Sequence, residues 1–250
     1  MRILMINPNT SQGVTERLEK AARAVIAPDT VLDTITAPTG VPYISTRTEA
    51  LIGGVSVLEI LSERHAEYDA AIVAAFGDPG LGAARELFDL PVIGLAEAGM
   101  LTACMLGGRF AIVTFADALE PWYRECVAWH RLEARCSGVY TLAGAFRSIN
   151  DVQEEKADHL AALCEDVVAG GDVDVIVLAG APLAGLAASL RNRVPVPLVD
   201  CAEAAIGQAE TLARLRPTKA SRGSFRRPAA KPSVGLSPAL SARIAHEPVC

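Results

Sequence analysis

One stretch of this chain is written twice. Asp69 to Gly82 reads DAAIVAAFGDPGLG, and Asp174 to Leu186 reads DVIVLAGAPLAGL, at an offset of 105 residues. Each is a continuous apolar run that breaks into a turn rich in Gly and Pro and then resumes as a segment rich in Ala and Leu. That pattern predicts a buried parallel strand, a tight turn and a helix. With one residue of slip the match continues, Pro91 to Gly94 answering Pro197 to Asp200 and Ala96-Glu97-Ala98 answering Ala202-Glu203-Ala204. A duplicated βα unit predicts two similar half-domains. In open α/β sheets the carboxyl ends of the strands border the ligand crevice, so Ala75 to Gly80 and Ala179 to Pro182 are the first candidates for a site.

The rest of the chain reads as strand and helix in alternation. Strands are predicted over Arg2–Ile6, Val31–Thr36, Ala70–Ala75, Pro91–Leu95, Arg109–Thr114 and Gly138–Leu142. Helices are predicted from Thr10 or Ser11 to about Ala27, then over Thr48–Glu67, Leu81–Phe88, Gly99–Leu106, Leu119–His130 and Gln153–Val168. The order βαβαβαβα, taken twice, predicts an α/β fold of two pseudo-symmetric lobes with parallel sheets and a cleft between them. Residues 1–106 with 197–216 are expected to form the first lobe and residues 107–196 the second. The loop Ala37 to Thr46, APTGVPYIST, is long for a connection and carries Tyr43. Gly53-Gly54 weakens the predicted helix around it unless it permits close packing.

Composition narrows the class. Hydrophobic residues are 51% and aromatics 5%, so Ala, Val and Leu must fill a sizeable core. No window approaches the roughly 18 uninterrupted apolar residues of a membrane span. The opening, MRILMINPNT, goes straight into a strand without the features of a signal peptide, which predicts a cytoplasmic protein away from membranes. The six scattered cysteines include no CxxC pair and are expected to be reduced thiols. Cys126, His130 and Cys136 match no zinc spacing, so no metal is expected. Residues 217–250 form a Pro/Gly-rich basic tail of net charge +5 on a body of −11. With few aromatics and no nucleic-acid motif, docking on an acidic surface of its own or a sister subunit is favoured over nucleic acid. The composition also suits a disordered tail, but Phe225, Leu236 and Leu240 are apolar anchors, and the tail is expected to dock across a neighbouring subunit of a homo-oligomer.

The strand ends carry the polar candidates. Asn9, Thr10 and Ser11 stand where a helix N-terminus offers N–H groups to a carboxylate or imide oxygen, and they also suit a helix cap. Thr114 ends the equivalent strand of the second half, and the Ala181 N–H follows a Gly-rich turn. Asp78, in the DPG turn, and Tyr43, on the long loop, are the candidates for proton transfer; each also has a local alternative, an Asx-turn or cap for Asp78 and loop packing for Tyr43. Asp200 suits a cap, and Glu97 and Glu203 occupy matching positions that suggest a shared structural role. The four histidines fall on predicted helices or the tail, away from strand ends, and none is expected to be catalytic.

INPNTS at 6–11, AAFGDPGL at 74–81, VIGLAEA at 92–98, VLAGAPLAG at 177–185 and VPLVD at 196–200 together resemble the aspartate/glutamate racemase superfamily, in particular its hydantoin and allantoin racemase branch. The resemblance spans about residues 1–212. It implies two lobes around a cleft, no cofactor, and a small-molecule ligand in that cleft; the residues expected to bind it are Asn9, Thr10, Ala75, Phe76, Thr114, Gly180 and Ala181. It also implies one cysteine at a strand end of each lobe, one removing the α-proton and the other returning a proton to the opposite face; a thiolate is a competent base once its pKa is tuned. Here the first of those positions is Ala75 and the second Gly180. Neither side chain transfers a proton, so two-thiol racemisation is not expected. Two main readings stay open: an enzyme acting on a small cyclic amide, ureide or amino-acid derivative by non-cysteine acid/base chemistry (isomerisation, ring opening or a lyase step), and a ligand-binding pseudoenzyme. A racemase whose thiols were replaced is the third.

Overall fold

A computed structural model describes residues 1–247; Cys250 lies outside them. The first sheet holds β1 (Arg2–Asn7), β2 (Val31–Thr36), β3 (Ala70–Val73) and β4 (Val92–Gly94) in the order β2-β1-β3-β4. The second holds β5 (Phe110–Thr114), β6 (Cys136–Thr141), β7 (Val175–Leu178) and β8 (Leu198–Asp200) in the matching order β6-β5-β7-β8. All pairings are parallel. The repeated stretches are thus β3 and β7, the inner strands, and every residue of each is buried. Burial on both faces is why these strands read as unbroken apolar runs.

The helices are α1 (Gln12–Arg23), α2 (Arg47–Arg64), α3 (Leu81–Leu87), α4 (Leu95–Leu106), α5 (Glu120–Trp129), α6 (Val152–Ala169), α7 (Leu186–Leu190), α8 (Cys201–Leu215) and α9 (Pro238–Ala245). Two of them cross between lobes. α4 leaves β4 and packs on β7 and β8, whereas α8 leaves β8 and packs on β3 and β4, with α4 and α8 against each other. The segment 197–216, expected in the first lobe, is therefore divided: β8 pairs in the second sheet and only α8 returns to the first. α4 also begins four residues before the expected Gly99, because Asp78 caps it from outside. In α2, Gly54 lies against the Gly80 backbone, and a Cβ on Gly54 would stand 3.1 Å from the Gly80 nitrogen. That close approach is what the glycine pair permits, and it seats the turn after β3.

The C-terminal segment lies on its own first lobe, where it was expected over a neighbouring subunit. α9 packs on α2, and Leu240 enters the apolar cluster around Leu4, Val57 and Leu61. Arg243 Nε donates to the Leu87 carbonyl at 3.0 Å, its Nη2 reaches Asp89 at 3.1 Å, and Lys219 Nζ donates to the Phe88 carbonyl at 3.1 Å. The anchor is Leu240, with Arg243 beside it; Phe225 stays largely exposed. Burying one such leucine is worth about 1.5–3 kcal/mol, enough to seat a short helix within reach of its own chain. No helix among the described residues is long and apolar enough to cross a membrane.

Candidate functional site

The two lobes meet around a small cavity. Asn9, Tyr43, Ile44, Ala75 and Phe76 wall it from the first lobe, and Phe115, Trp122, Tyr123, Gly180, Ala181 and Pro182 from the second. Five of these are aromatic in a chain with six Phe, two Trp and four Tyr, so the scarce rings are concentrated here. They fill the space: about 20 Å³ remains, room for roughly one water. Phe146, from the connection after β6, packs behind this wall, its ring 5.8 Å from Tyr43 and 5.6 Å from Phe115.

Of the residues expected at the site, Asn9, Tyr43, Ala75, Phe76, Gly180 and Ala181 share this wall. Thr10 does not; its N–H donates to the Val41 carbonyl at 2.9 Å and ties down the loop that carries Tyr43. Thr114 is wholly buried beneath the cavity, its hydroxyl donating to the Ala179 carbonyl at 2.8 Å. Asp78, expected to transfer protons, is absent from the wall as well. Its Oδ1 accepts from Ala96 N–H at 2.8 Å and its Oδ2 from Glu97 N–H at 2.9 Å, capping α4, and Oδ2 also lies 3.0 Å from His130 Nε2. Satisfying free N–H groups at a helix start is what a carboxylate does best there.

The polar atoms left in the cavity are few. Asn9 Oδ1 accepts from Asn7 Nδ2 at 3.0 Å and Ser11 N–H at 2.9 Å, while its Nδ2 makes no hydrogen bond among the described residues. The Tyr43 hydroxyl is buried with no partner. Burial, and then the charge of Glu49, push that phenol up, so it stays protonated and donates. Tyr123, which the sequence reading did not single out, is also in the wall, and burial pushes its phenol well up. At Gly180, φ is +115°. A Cβ there would stand 2.9 Å from the Phe115 ring and 3.4 Å from the Tyr123 hydroxyl. Phe115 and Tyr123 therefore occupy the room that a side chain at position 180 needs.

Among the described residues the cysteines are elsewhere. Cys126, Cys164 and Cys201 are buried, none lines the cavity, and burial pushes each thiol up, Cys164 to about 12. Ligand atoms of Asp78, Cys126 and His130 lie within 4.8 Å of one another. Asp78 is already committed to two N–H groups and to His130, so this group is an ion cluster rather than an open metal centre. His130 corrects the reading of the histidines: it ends α5 yet reaches the turn after β3. The signal was faint, a histidine in a helix whose partner lies 52 residues away in sequence.

A family model described as Asp/Glu/Hydantoin racemase matches residues 3–209. A hydantoin racemase of Paenarthrobacter aurescens is 30% identical over 233 residues, covering 92% of this chain and 99% of that protein. Among solved structures, an allantoin racemase from Klebsiella pneumoniae superposes with a TM-score of 0.90 at 33% identity, covering 96% of this chain and 99% of that one. Allantoin racemase from Pseudomonas fluorescens gives 0.84 at 29%, covering 94% and 100%.

Proposed function

The chain belongs to the Asp/Glu/hydantoin racemase family, and we propose that it is a cofactor-independent enzyme of that family acting on a small cyclic amide, ureide or amino-acid derivative without cysteine chemistry. The observation that carries this is the unpartnered Tyr43 hydroxyl in a cavity whose two thiol positions are Ala75 and Gly180. A buried hydroxyl without a partner costs roughly 1–3 kcal/mol, and a ligand carbonyl would recover that. Asn9 Nδ2 supplies a second donor. Both favour an acceptor-rich ligand such as an imide or ureide carbonyl. With Tyr43 held protonated, it polarises that oxygen by donating a hydrogen bond and keeps its proton; an isomerisation, ring opening or lyase step begun at a carbonyl is helped by such a donor.

A second reading is a ligand-binding protein without turnover. Its support is Asp78, whose commitment to α4 and His130 leaves no carboxylate base in the cavity wall. Entry of a ligand requires the lobes to part, since about 20 Å³ holds no organic molecule. A panel of chiral hydantoins, allantoin and cyclic amides, followed by circular dichroism for isomerisation and by chromatography for ring opening, separates the two. Turnover lost at least about tenfold in Tyr43→Phe, with folding unchanged, supports the enzyme. Binding in calorimetry without turnover supports the second reading, and no binding by any member of the panel rejects both.

A further inference from the structure

Three pieces of the molecule converge on one imidazole. His130 follows α5 in the second lobe. Its Nε2 is 3.0 Å from Asp78 Oδ2, in the turn after β3, and its Nδ1 is 3.6 Å from Glu97 Oε1, in the first turn of α4. The ring is only 5% exposed. With a carboxylate near each nitrogen, the protonated ring is the form that donates to Asp78 and pairs in charge with Glu97. Burial pushes the imidazole down, but the bonds to Asp78 and Glu97 outweigh it and raise the group to about 9. Burial likewise pushes the Glu97 carboxyl up, and His130 and Arg85 outweigh that, holding it at about 2. Arg85, from α3, is bound to Glu97 at 2.9 Å. Cys126 and Trp129 face the ring from α5 itself, Trp129 edge-on at 4.6 Å.

Capping a helix does not require a histidine. The second lobe does the same work with a carboxylate alone: Asp200 accepts from Ala202 N–H at 2.9 Å to cap α8 and from Gly185 N–H at 2.5 Å to hold the turn after β7. What His130 adds is a tie to the opposite lobe. Two neighbours lie on the same side of the cleft. Trp122 of α5 covers Gly77 so closely that a Cβ there would come within 2.2 Å of the indole, and Arg47 of α2 pairs with Glu125 of α5.

We propose that His130 is the positioning residue of the cleft: reaching from α5 to Asp78 and Glu97, it pins the Gly77–Gly80 turn, and with it the wall at Ala75 and Phe76, against the second lobe. The pin holds whether or not the cleft turns a ligand over.

Because the folded imidazole is raised from 6.5 to about 9, its contribution is complete below about pH 6.5 and is lost as pH rises through about 9. Deuterium uptake by residues 75–80 and 94–97 of the full chain, corrected for intrinsic exchange, reads this directly. The opening constant should rise about tenfold per pH unit across that window and level off above it, while strand 110–114 shows no such slope. His130→Gln should be open already at neutral pH, at least about tenfold above the parent, and flat with pH. Glu97→Gln should keep the slope but reach its plateau at lower pH. A parent chain that is flat across the window, or a slope surviving in His130→Gln, overturns the pin. Should His130→Gln not fold, the parent's slope and the Glu97→Gln shift still decide.

Discussion

The turn that ends β3 and the turn that ends β7 hold equivalent places in two sheets of the same strand order, yet they are anchored from opposite ends. In the first lobe the carboxylate sits on the turn, at Asp78, and reaches forward to the start of α4. In the second it sits at the helix start, at Asp200, and reaches back to Gly185. Both satisfy the N–H groups of a crossing helix, but only the first also faces a buried cation, His130. The first turn is an ion-paired joint between lobes, whereas the second rests on a carboxylate with backbone partners alone, its turn packed against Phe115. Duplication preserved the job and let the means diverge.

The largest test of that difference is removal of each carboxylate. Asp78→Ala leaves His130 buried beside one carboxylate and α4 uncapped, and breaking a buried pair in this way costs about 3–5 kcal/mol. Asp200→Ala removes a cap and a turn contact, expected to cost about 0.5–2 kcal/mol. Urea denaturation of the two variants measures the gap. Equal losses would mean that the first joint is no more than a cap.

Placing a thiol at each turn probes how tightly the two are packed. Ala75→Cys places a small side chain where one already stands and should cost under about 1 kcal/mol. Gly180→Cys demands a positive φ and displaces Phe115, together about 2–4 kcal/mol. Melting of both variants compares them directly. A Gly180→Cys chain as stable as its parent would show the second turn to be more pliant than its packing implies.

What the sequence disclosed follows the same division. The duplicated runs at 69–82 and 174–186 revealed the lobes, the parallel sheets and the cavity wall at Ala75 and Gly180, because burial on both faces leaves an unbroken apolar signature in the residues themselves. The polar strand ends pointed to Asn9 and Ala181, which stand in the same wall. Roles that depend on distant partners were not legible. Asp78 read as a candidate acid because nothing local shows that Ala96, Glu97 and His130 will claim its oxygens. Tyr123 lay unmarked inside the helix predicted over Leu119–His130, its place opposite Gly180 being fixed only when α5 packs. The exchange of α4 and α8 between lobes was hidden for the same reason: each follows its strand in sequence, and which sheet it covers is a tertiary decision.

The smallest effect to test is the response of the two joints to acid, where they should differ in sign. Glu97, tied to the first joint through His130 and Arg85, is lowered from 4.5 to about 2 in the folded chain. A lowered carboxyl stabilises above the unfolded value, and that contribution is lost as pH falls from about 4.5 through about 2. Asp200 is raised above 3.8, burial outweighing its N–H bonds. A raised carboxyl stabilises most below the unfolded value and loses that contribution as pH climbs through its folded pKa. Acidification from pH 5 to pH 3 should therefore weaken the first joint and slightly favour the second. Denaturant midpoints for Glu97→Gln and Asp200→Asn across that range separate the two. The parent should lose more stability than Glu97→Gln, by about 1–2 kcal/mol after allowing for the solvent that reaches a part-buried group. Asp200→Asn, which can still cap α8, should lose more on acidification than the parent does. If the two variants respond alike, the carboxylates are held in the same electrostatic setting, and the contrast between an ion-paired and an unpaired carboxylate fails.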